Sequence, residues 1–359
     1  MSAPANLQYA IKKLVTRTNL SSPEISKAFD AILEGMVPDT AIAAFLVALA
    51  TKGETAREVQ SVLHSLINHA TRITPKVSGP LIDTCGTGGD SIKSFNISTA
   101  AAIVAAAARA KVAKHGNRSM SGICGSADFF ESIGLDLSAP PAKVQSCIEE
   151  VGIGFLFAPM FHSSIKNVAS VRKTIGISTV FNKVGPLSNP CTNIAAQLIG
   201  VFEMPLMKPF SQICKGYLSE AMLVHARDGF DELSNTCQNN IRWISNENHR
   251  TTKMLLHPNE VGLDLARPEQ LIVYSKEDSI RSTLQTIYGK ASKEKHDIVV
   301  LNAAGALLLS KIASDFKEGI QIANETIESG KAHKKLSEMI KYCGNLEKLK
   351  EAEKEFSLI

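Results

Sequence analysis

Asp83-Thr84-Cys85-Gly86-Thr87-Gly88-Gly89-Asp90 stands a few residues ahead of Asn96-Ile97-Ser98-Thr99 and the small apolar run Ala100 to Ala108. The order is a short apolar strand (Leu81 to Thr84), a glycine bend and a helix with almost no polar side chain. Three glycines behind a strand let the backbone approach a ligand and turn successive N–H groups into one concavity. No Gly-Lys-Ser/Thr follows, and Gly86, Gly88 and Gly89 miss the G-x-G-x-x-G spacing, so neither common nucleotide loop is present. Spacing alone fits a plain turn as well as a phosphate cradle. Ser98 or Thr99 is the expected N-cap of the alanine helix. Such a start offers free amides and a positive dipole end, worth about 0.3–1 kcal/mol per anionic group. The same helix also reads as core; both readings hold together.

Lys114-His115-Gly116-Asn117-Arg118-Ser119 comes next, ahead of Gly125-Ser126-Ala127-Asp128. A Lys and an Arg flanking a glycine at a strand's C-terminal end would supply cations to a phosphate. Taken alone, they are ordinary surface charges.

Outward from this centre, further strands are predicted at Val112 to Lys114, Gly154 to Phe157, Ala221 to Ala226 and Asp297 to Leu301, with helical periodicity between. Alternation of this kind argues an α/β layer on a mostly parallel sheet. The first seventy residues differ. Leu7, Ala10, Ile11 and Leu14 form one helical stripe, and Ser22-Pro23 opens a second helix. Ile42 to Leu49 form a third, and the Thr55/Glu58 capping box opens a fourth. Thr74 to Pro80 reads as a linker. The expected architecture is a small N-terminal α-helical domain, 1–75, with a returning helical segment near 166–190, and a larger α/β domain, 76–359. The Glu/Lys alternation after Leu346 reads as a solvated helix end.

The chain has 359 residues, 44% hydrophobic and 21% charged, which excludes disorder as its main state. A net charge of +4 is too small for a nucleic-acid carpet, although the pI of 8.6 suits an anionic ligand. Aromatics are only 6%, against a base-stacking platform. Seven cysteines (85, 124, 147, 191, 214, 237 and 343) form no C-x-x-C, pointing to a reducing compartment rather than a disulfide framework or zinc site. Met1-Ser2-Ala3-Pro4 lacks the basic-then-apolar pattern of a signal peptide, and the longest apolar run is too short to span a bilayer. The expectation is a cytoplasmic protein.

The string from Asp83 to Asp128, with GTGGD, NIST and KHGNR in that order, resembles the anthranilate phosphoribosyltransferase family. The resemblance continues through Gly152 to Pro159, His162, Val171-Arg172, Phe181-Asn182 and Gly185 to Pro190. It reappears at Asp228-Gly229-Phe230-Asp231-Glu232 and Leu301-Asn302-Ala303-Ala304, and includes Lys52-Gly53-Glu54-Thr55. It thus spans nearly the whole chain.

This resemblance implies the nucleoside phosphorylase/phosphoribosyltransferase-like fold, a homodimer formed through the helical domain, and an active site in an interdomain cleft. It implies phosphoribosyl pyrophosphate and anthranilate as substrates, two Mg²⁺ ions, and a place in tryptophan biosynthesis. Gly86, Gly88, Gly89 and Asp90 would lie against the pyrophosphate and ribose, and Ser94, Asn96, Ser98 and Thr99 would hold the diphosphate. Lys114, Gly116, the loop through Gly122 and Ser126 would complete the donor site. Ser98, Asp231 and Glu232 match the metal positions; Mg²⁺ takes oxygen ligands and keeps several waters, so two carboxylates plus substrate phosphates suffice. Gly86, Asn117, Ala158, Pro159, His162, Arg172 and Gly185 match the anthranilate positions, Arg172 meeting the carboxylate as a planar fork.

The chain also departs from the family pattern. Ser163, Asn167, Ser170 and Ser178 replace a more usual Pro, His, Pro and Arg, and Ser234 to Asn239 replaces a Ser-x-Thr-Gly-Pro-Thr run. The phosphoribosyl half is therefore the more secure carry-over and the aromatic pocket with its rim the less secure, which leaves room for a shifted acceptor preference. No residue stands out as a general base. Two rival readings of the sequence are a pyrimidine-nucleoside phosphorylase, whose glycine loop carries Lys and Ser where Thr84 and Cys85 stand, and a nucleic-acid-binding paralogue without transferase activity.

Overall fold

The structure, a computed structural model, describes residues 4–88, 92–119, 122–247 and 250–359. Four helices come first: α1 (Ala5–Val15), α2 (Ser22–Leu33), α3 (Asp39–Lys52) and α4 (Ala56–Asn68). Then follow β1 (Leu81–Gly86), α5 (Ile97–Ala107), β2 (Lys111–Gly116), α6 (Ser126–Ser132), α7 (Pro141–Val151) and β3 (Ile153–Phe157). Next come α8 (Ala158–Phe161), α9 (Lys166–Ile175), α10 (Val180–Val184), β4 (Ile194–Gly200), α11 (Met207–Cys214), β5 (Glu220–Ala226), β6 (Asn239–Ser245) and β7 (Arg250–Leu256). Five helices close the chain: α12 (Lys276–Ile287), α13 (Lys293–Leu309), α14 (Phe316–Glu328), α15 (Lys331–Cys343) and α16 (Leu346–Glu355).

These elements fall into two compact units. One comprises Met1–Arg72 and Ala158–Pro190, the other Ile73–Phe157 and Cys191–Ile359. The first is all helix. Leu7, Ala10 and Leu14 of α1 and Ile25, Phe29 and Ile32 of α2 are buried, as the periodicity predicts. The cap of α2 is Ser21, one residue earlier than expected, because Glu24 reaches back to the Ser21 amide at 2.7 Å. The α4 capping box forms as read, with Glu58 also gripped by Lys52 at 2.7 Å and by the Leu20 amide at 2.9 Å. Burial raises the Glu58 pKa, but Lys52 and these amides more than offset it and hold it below the usual carboxylate range.

The second unit is built on one seven-stranded sheet, ordered β3-β2-β1-β4-β5-β6-β7. The first five strands are parallel; β6 and β7 add an antiparallel edge. Helix α5 is buried along nearly its whole length because Ala, the best helix former, also lets backbones approach closely. It packs on β1, β2 and α13.

Three expectations need correction. Asp297 to Leu301 is no strand but the middle of α13, whose residues Asp297 to Leu309 are all buried. An apolar run of five reads alike in a buried strand and a buried helix, and only the continuation to Leu309 decides. Strands β4, β6 and β7 were not anticipated: β6 and β7 carry Asn, Arg, Thr and Lys, as suits a half-exposed edge. The α5 cap position is Asn96, so Ser98 and Thr99 lie inside the first turn. Among the described residues, no helix is long and apolar enough to cross a membrane.

Candidate functional site

In the sheet-containing unit, the C-terminal ends of β1 and β4 meet the segment after β5. Gly86 and Gly200 are register partners at those two strand ends. A Cβ on Gly86 would fall 2.3 Å from Asp231 Oδ2, and one on Gly200 would fall 1.4 Å from the Asp231 carbonyl oxygen. Only glycine admits Asp231 here. The Gly88 amide then donates to Asp231 Oδ2 at 2.7 Å, and Gly88 itself has φ +65°, a conformation that disfavours side chains. The Thr87 amide donates to the Gly200 carbonyl at 2.9 Å and the Phe202 amide to Thr87 Oγ1 at 3.2 Å, fixing the bend to β4. Gly89 and Asp90 lie outside the described residues.

Lys114 of β2 is 2% exposed. Its ammonium donates to the Thr84 carbonyl at 2.7 Å and to Ser98 Oγ at 3.3 Å. Thr84 Oγ1 in turn donates to the Ser98 carbonyl at 3.0 Å. Burial pulls the Lys114 pKa below its ordinary value, while the charges of Asp83, Cys85 and Glu232 act the other way. The fully buried Asp83 accepts the His115 amide at 3.1 Å and Gln197 Nε2 at 3.2 Å. Sequence reasoning missed Asp83, Gln197 and Gly200 as parts of this assembly. Gly200 carried the one available signal, an apolar run ending in glycine, as in β1.

The Asn96 side chain, at the N-cap position of α5, makes no capping hydrogen bond to the helix. The Asn96 side chain donates instead to Ser279 Oγ at 3.3 Å, and its backbone amide donates to Thr283 Oγ1 at 3.3 Å, both on α12. Ser94 bridges Ile272, and the Val273 amide donates to the Lys93 carbonyl at 2.9 Å. The α5 start is thus held from behind, with the Ile97 amide donating to the Phe95 carbonyl at 2.8 Å and no cap bond from the Asn96 side chain. Thr99 Oγ1 is buried with no hydrogen-bond partner among the described residues.

Gly116, Asn117 and Ser126 are neighbours. A Cβ on Gly116 would lie 2.2 Å from Ser126 Oγ, and Ser126 Oγ donates to the Asn117 carbonyl at 3.4 Å. Gly122 is exposed and its carbonyl accepts from Ser119 Oγ at 2.7 Å. Arg118, read as a cation for phosphate, is spent otherwise: both its terminal nitrogens meet Glu131 at 2.7 Å.

Asp231 is buried, which pushes its pKa up to about 6 against the pull of the Gly88 amide. Glu232 is half-buried, and its charge acts on Lys114 and Cys85. Among the described residues no three His, Cys, Asp or Glu side chains cluster as a self-sufficient metal cage. The donors nonetheless fit Mg²⁺: Asp231 is a desolvated carboxylate with no ion pair among the described residues, Glu232 follows it, and both Ser98 and Glu232 act on Lys114, so oxygen donors are available and Mg²⁺ would take the rest from water and phosphate.

The helical unit holds the other expected residues. His162 is 1% exposed; its Nε2 meets the Ser188 carbonyl at 2.8 Å, and burial pushes its pKa down to about 4. Read as a pocket residue, it is spent inside the unit, bracing the Gly185–Ser188 turn through the Ser188 amide and hydroxyl, which donate to the Gly185 carbonyl at 3.2 and 2.9 Å. Ala158, at the start of α8, accepts the His162 amide at 2.8 Å, and Pro159 is exposed. The Arg172 guanidinium of α9 lies 4.8 Å from the Phe181 ring centroid on α10, which runs directly into Gly185. Arg172 is half-buried, and burial lowers its pKa from the ordinary value. Arg172, Phe181, Gly185 and His162 are therefore gathered by α8 to α10.

Two family models match the chain, and the larger match runs through Ala158–Pro190, the stretch that packs in the helical unit. Residues 78–333 match the glycosyl transferase family a/b domain, and residues 8–70 match the helical bundle domain of the same family. The anthranilate phosphoribosyltransferase of Acetivibrio thermocellus is 42% identical over 340 residues, covering 94% of this chain and 97% of that protein.

The chain belongs to the anthranilate phosphoribosyltransferase family.

The family member from Petrotoga mobilis is likewise 42% identical, over 94% of this chain and 97% of its own length. Among solved structures, the Thermus thermophilus anthranilate phosphoribosyltransferase is similar with a TM-score of 0.85 at 34% identity, covering 93% of this chain and 99% of that one. The Saccharomyces cerevisiae enzyme in complex with PRPP and Mg has a TM-score of 0.87 at 26% identity, covering 95% and 98%. These family members share the helical unit and the larger α/β unit with its mostly parallel sheet.

Proposed function

We propose that this chain transfers the phosphoribosyl group of phosphoribosyl pyrophosphate to the amine of anthranilate. Pyrophosphate is released and N-(5-phosphoribosyl)anthranilate forms, a step of tryptophan biosynthesis. The observation that carries the reading is the convergence at the end of β1 of the first turn of α5, the buried Lys114 bonded to both, and the Asp231 carboxylate seated on the glycine bend.

In the reaction the C1–O bond to pyrophosphate breaks as the C1–N bond forms, and the amine then gives up a proton. An arylamine is neutral at pH 7 and needs no strong base to begin its attack. The burden falls on the leaving charge and on alignment. Gly86, Gly88, Gly89 and Asp90 would line the pyrophosphate and ribose. Ser94, Asn96, Ser98 and Thr99 would bind the diphosphate at the α5 start, where amides and dipole favour anions. Lys114, Gly116 and Ser126 complete that donor site. Asp231, Glu232 and Ser98 would hold two Mg²⁺ ions, which supply positive charge to the departing diphosphate. Asn117, Ala158, Pro159, His162, Arg172, Gly185 and Gly86 are assigned to anthranilate: Arg172 takes the carboxylate, and His162 acts by fixing the Gly185 turn.

A homodimer through the helical domain is part of the reading. It is supported by a groove of about 510 Å³ between α1 and α3, lined by apolar residues such as Leu14, Val15, Ala44 and Val47 together with Arg17, Thr51 and Lys52, with Val15 and Val47 exposed. The seven cysteines form no disulfide, which supports a reducing, cytoplasmic setting. The test follows anthranilate fluorescence in the presence of phosphoribosyl pyrophosphate, with and without Mg²⁺. Consumption that requires both supports the assignment; phosphorolysis of thymidine without anthranilate turnover refutes it.

A further inference from the structure

Asn302 is a polar residue within the otherwise apolar stretch Ile298 to Leu309 of α13, and it is 1% exposed. Burying an amide is costly unless it is hydrogen-bonded. Its Oδ1 accepts the Leu233 amide at 3.0 Å, and its Nδ2 donates to the Leu233 carbonyl at 2.7 Å and to the Ile298 carbonyl at 2.8 Å. One side chain thus grips both backbone groups of the residue next to Glu232. The next residue is held in the same way. Asn239, fully buried at the start of β6, accepts the Ser234 amide at 2.7 Å and donates to the Ser234 carbonyl at 2.8 Å. The Leu233 side chain also packs close to Gly305, where a Cβ would come within 3.0 Å of it.

We propose that Asn302, seconded by Asn239, is a positioning residue for Asp231 and Glu232. It fixes the peptide that follows the acidic pair, so that both carboxylates keep their place beside the glycine bend. The inference rests on the reading that this pair holds Mg²⁺. Neither amide touches substrate; each acts through the backbone it grips. A backbone pinned on two consecutive residues presents ligands in one geometry, and groups that orient metal ligands typically change metal affinity by about 10–100-fold when removed.

The test is calorimetric binding of phosphoribosyl pyrophosphate across a Mg²⁺ titration, with thermal unfolding of the ligand-free protein alongside. Asn302→Ala should raise the half-saturating Mg²⁺ concentration about tenfold or more. Leu307→Ala, on the same buried helix, should lower the unfolding temperature and leave that concentration unchanged. Equal Mg²⁺ shifts in the two variants, or no shift in Asn302→Ala, would overturn the proposal. If Asn302→Ala does not fold, Asn239→Ala serves, because it frees the Ser234 peptide that follows the same acidic pair; unchanged Mg²⁺ dependence there also overturns it. The double variant Asp231→Ala with Glu232→Ala separates the two readings. Lost Mg²⁺ dependence in the pair but intact dependence in Asn302→Ala counts against Asn302 alone. Retained dependence in the pair removes the metal assignment and this inference with it.

Discussion

The carboxylate of Asp231 accepts the backbone amide of Gly88 at 2.7 Å, across 143 positions of sequence. That bond ties the segment after β5 to the bend after β1. It is allowed by two facing glycines, 86 and 200, whose missing side chains leave room for Asp231.

Gly86→Ala should displace the Asp231 carboxylate, since the added carbon would sit 2.3 Å from Oδ2. An ångström-scale shift of an aligned group costs about a hundredfold in rate, so kcat/KM for the phosphoribosyl donor should fall on that scale. Gly200→Ala meets backbone at 1.4 Å and should fail to yield folded protein. Steady-state kinetics and thermal melts check both; wild-type behaviour in Gly86→Ala contradicts the placement.

Lys114→Met removes the ammonium that bonds the Thr84 carbonyl and Ser98 Oγ. Loss of one preorganised electrostatic group costs roughly 10²–10³ in rate. The loss should appear in kcat and in the donor KM. A change confined to the anthranilate KM would move Lys114 out of the donor site.

Arg172→Ala should raise the anthranilate KM about tenfold or more, since a charge-assisted bond contributes about 1.5–3 kcal/mol. Arg172→Lys should not restore it, because an ammonium lacks the planar fork and its stacking on Phe181. Inhibition by benzoate, which keeps the carboxylate and lacks the amine, should weaken in parallel. Equal effects on donor and acceptor KM would contradict the carboxylate role.

His162 is buried in its neutral form, with its pKa lowered from 6.5 to about 4. Between those values the unfolded chain binds the proton and the folded chain does not, so stability falls as pH drops through that window. The integrated cost approaches about 3 kcal/mol by pH 4. Urea midpoints at pH 7 and pH 4.5 should differ more in the wild type than in His162→Gln. An identical difference in the two would show that another group sets the acid sensitivity.

The centre of this site was legible because its signals are local. A strand ending in glycines, the alanine run of α5 and Lys114 on the next strand are neighbours in sequence and become neighbours in space. What stayed hidden depends on long-range closure. Gly200 faces Gly86, Gln197 reaches Asp83, and Asn302 grips Leu233, and no periodicity reports such pairs. The helix starts at Ile97, so Ser98 and Thr99 fall in its first turn, and the Asn96 side chain at the cap position bonds α12, a long-range contact that local patterning does not report. Arg118 looked available for phosphate, yet Glu131 lies thirteen positions on, beyond the reach of local patterning.

The measurement that bears most directly on this account is a crystal structure of the protein with phosphoribosyl pyrophosphate and Mg²⁺. The diphosphate should lie at the start of α5 against the bend from Gly86, with metal between it and the carboxylates of Asp231 and Glu232. A donor bound elsewhere, with that corner filled only by water, would contradict the account.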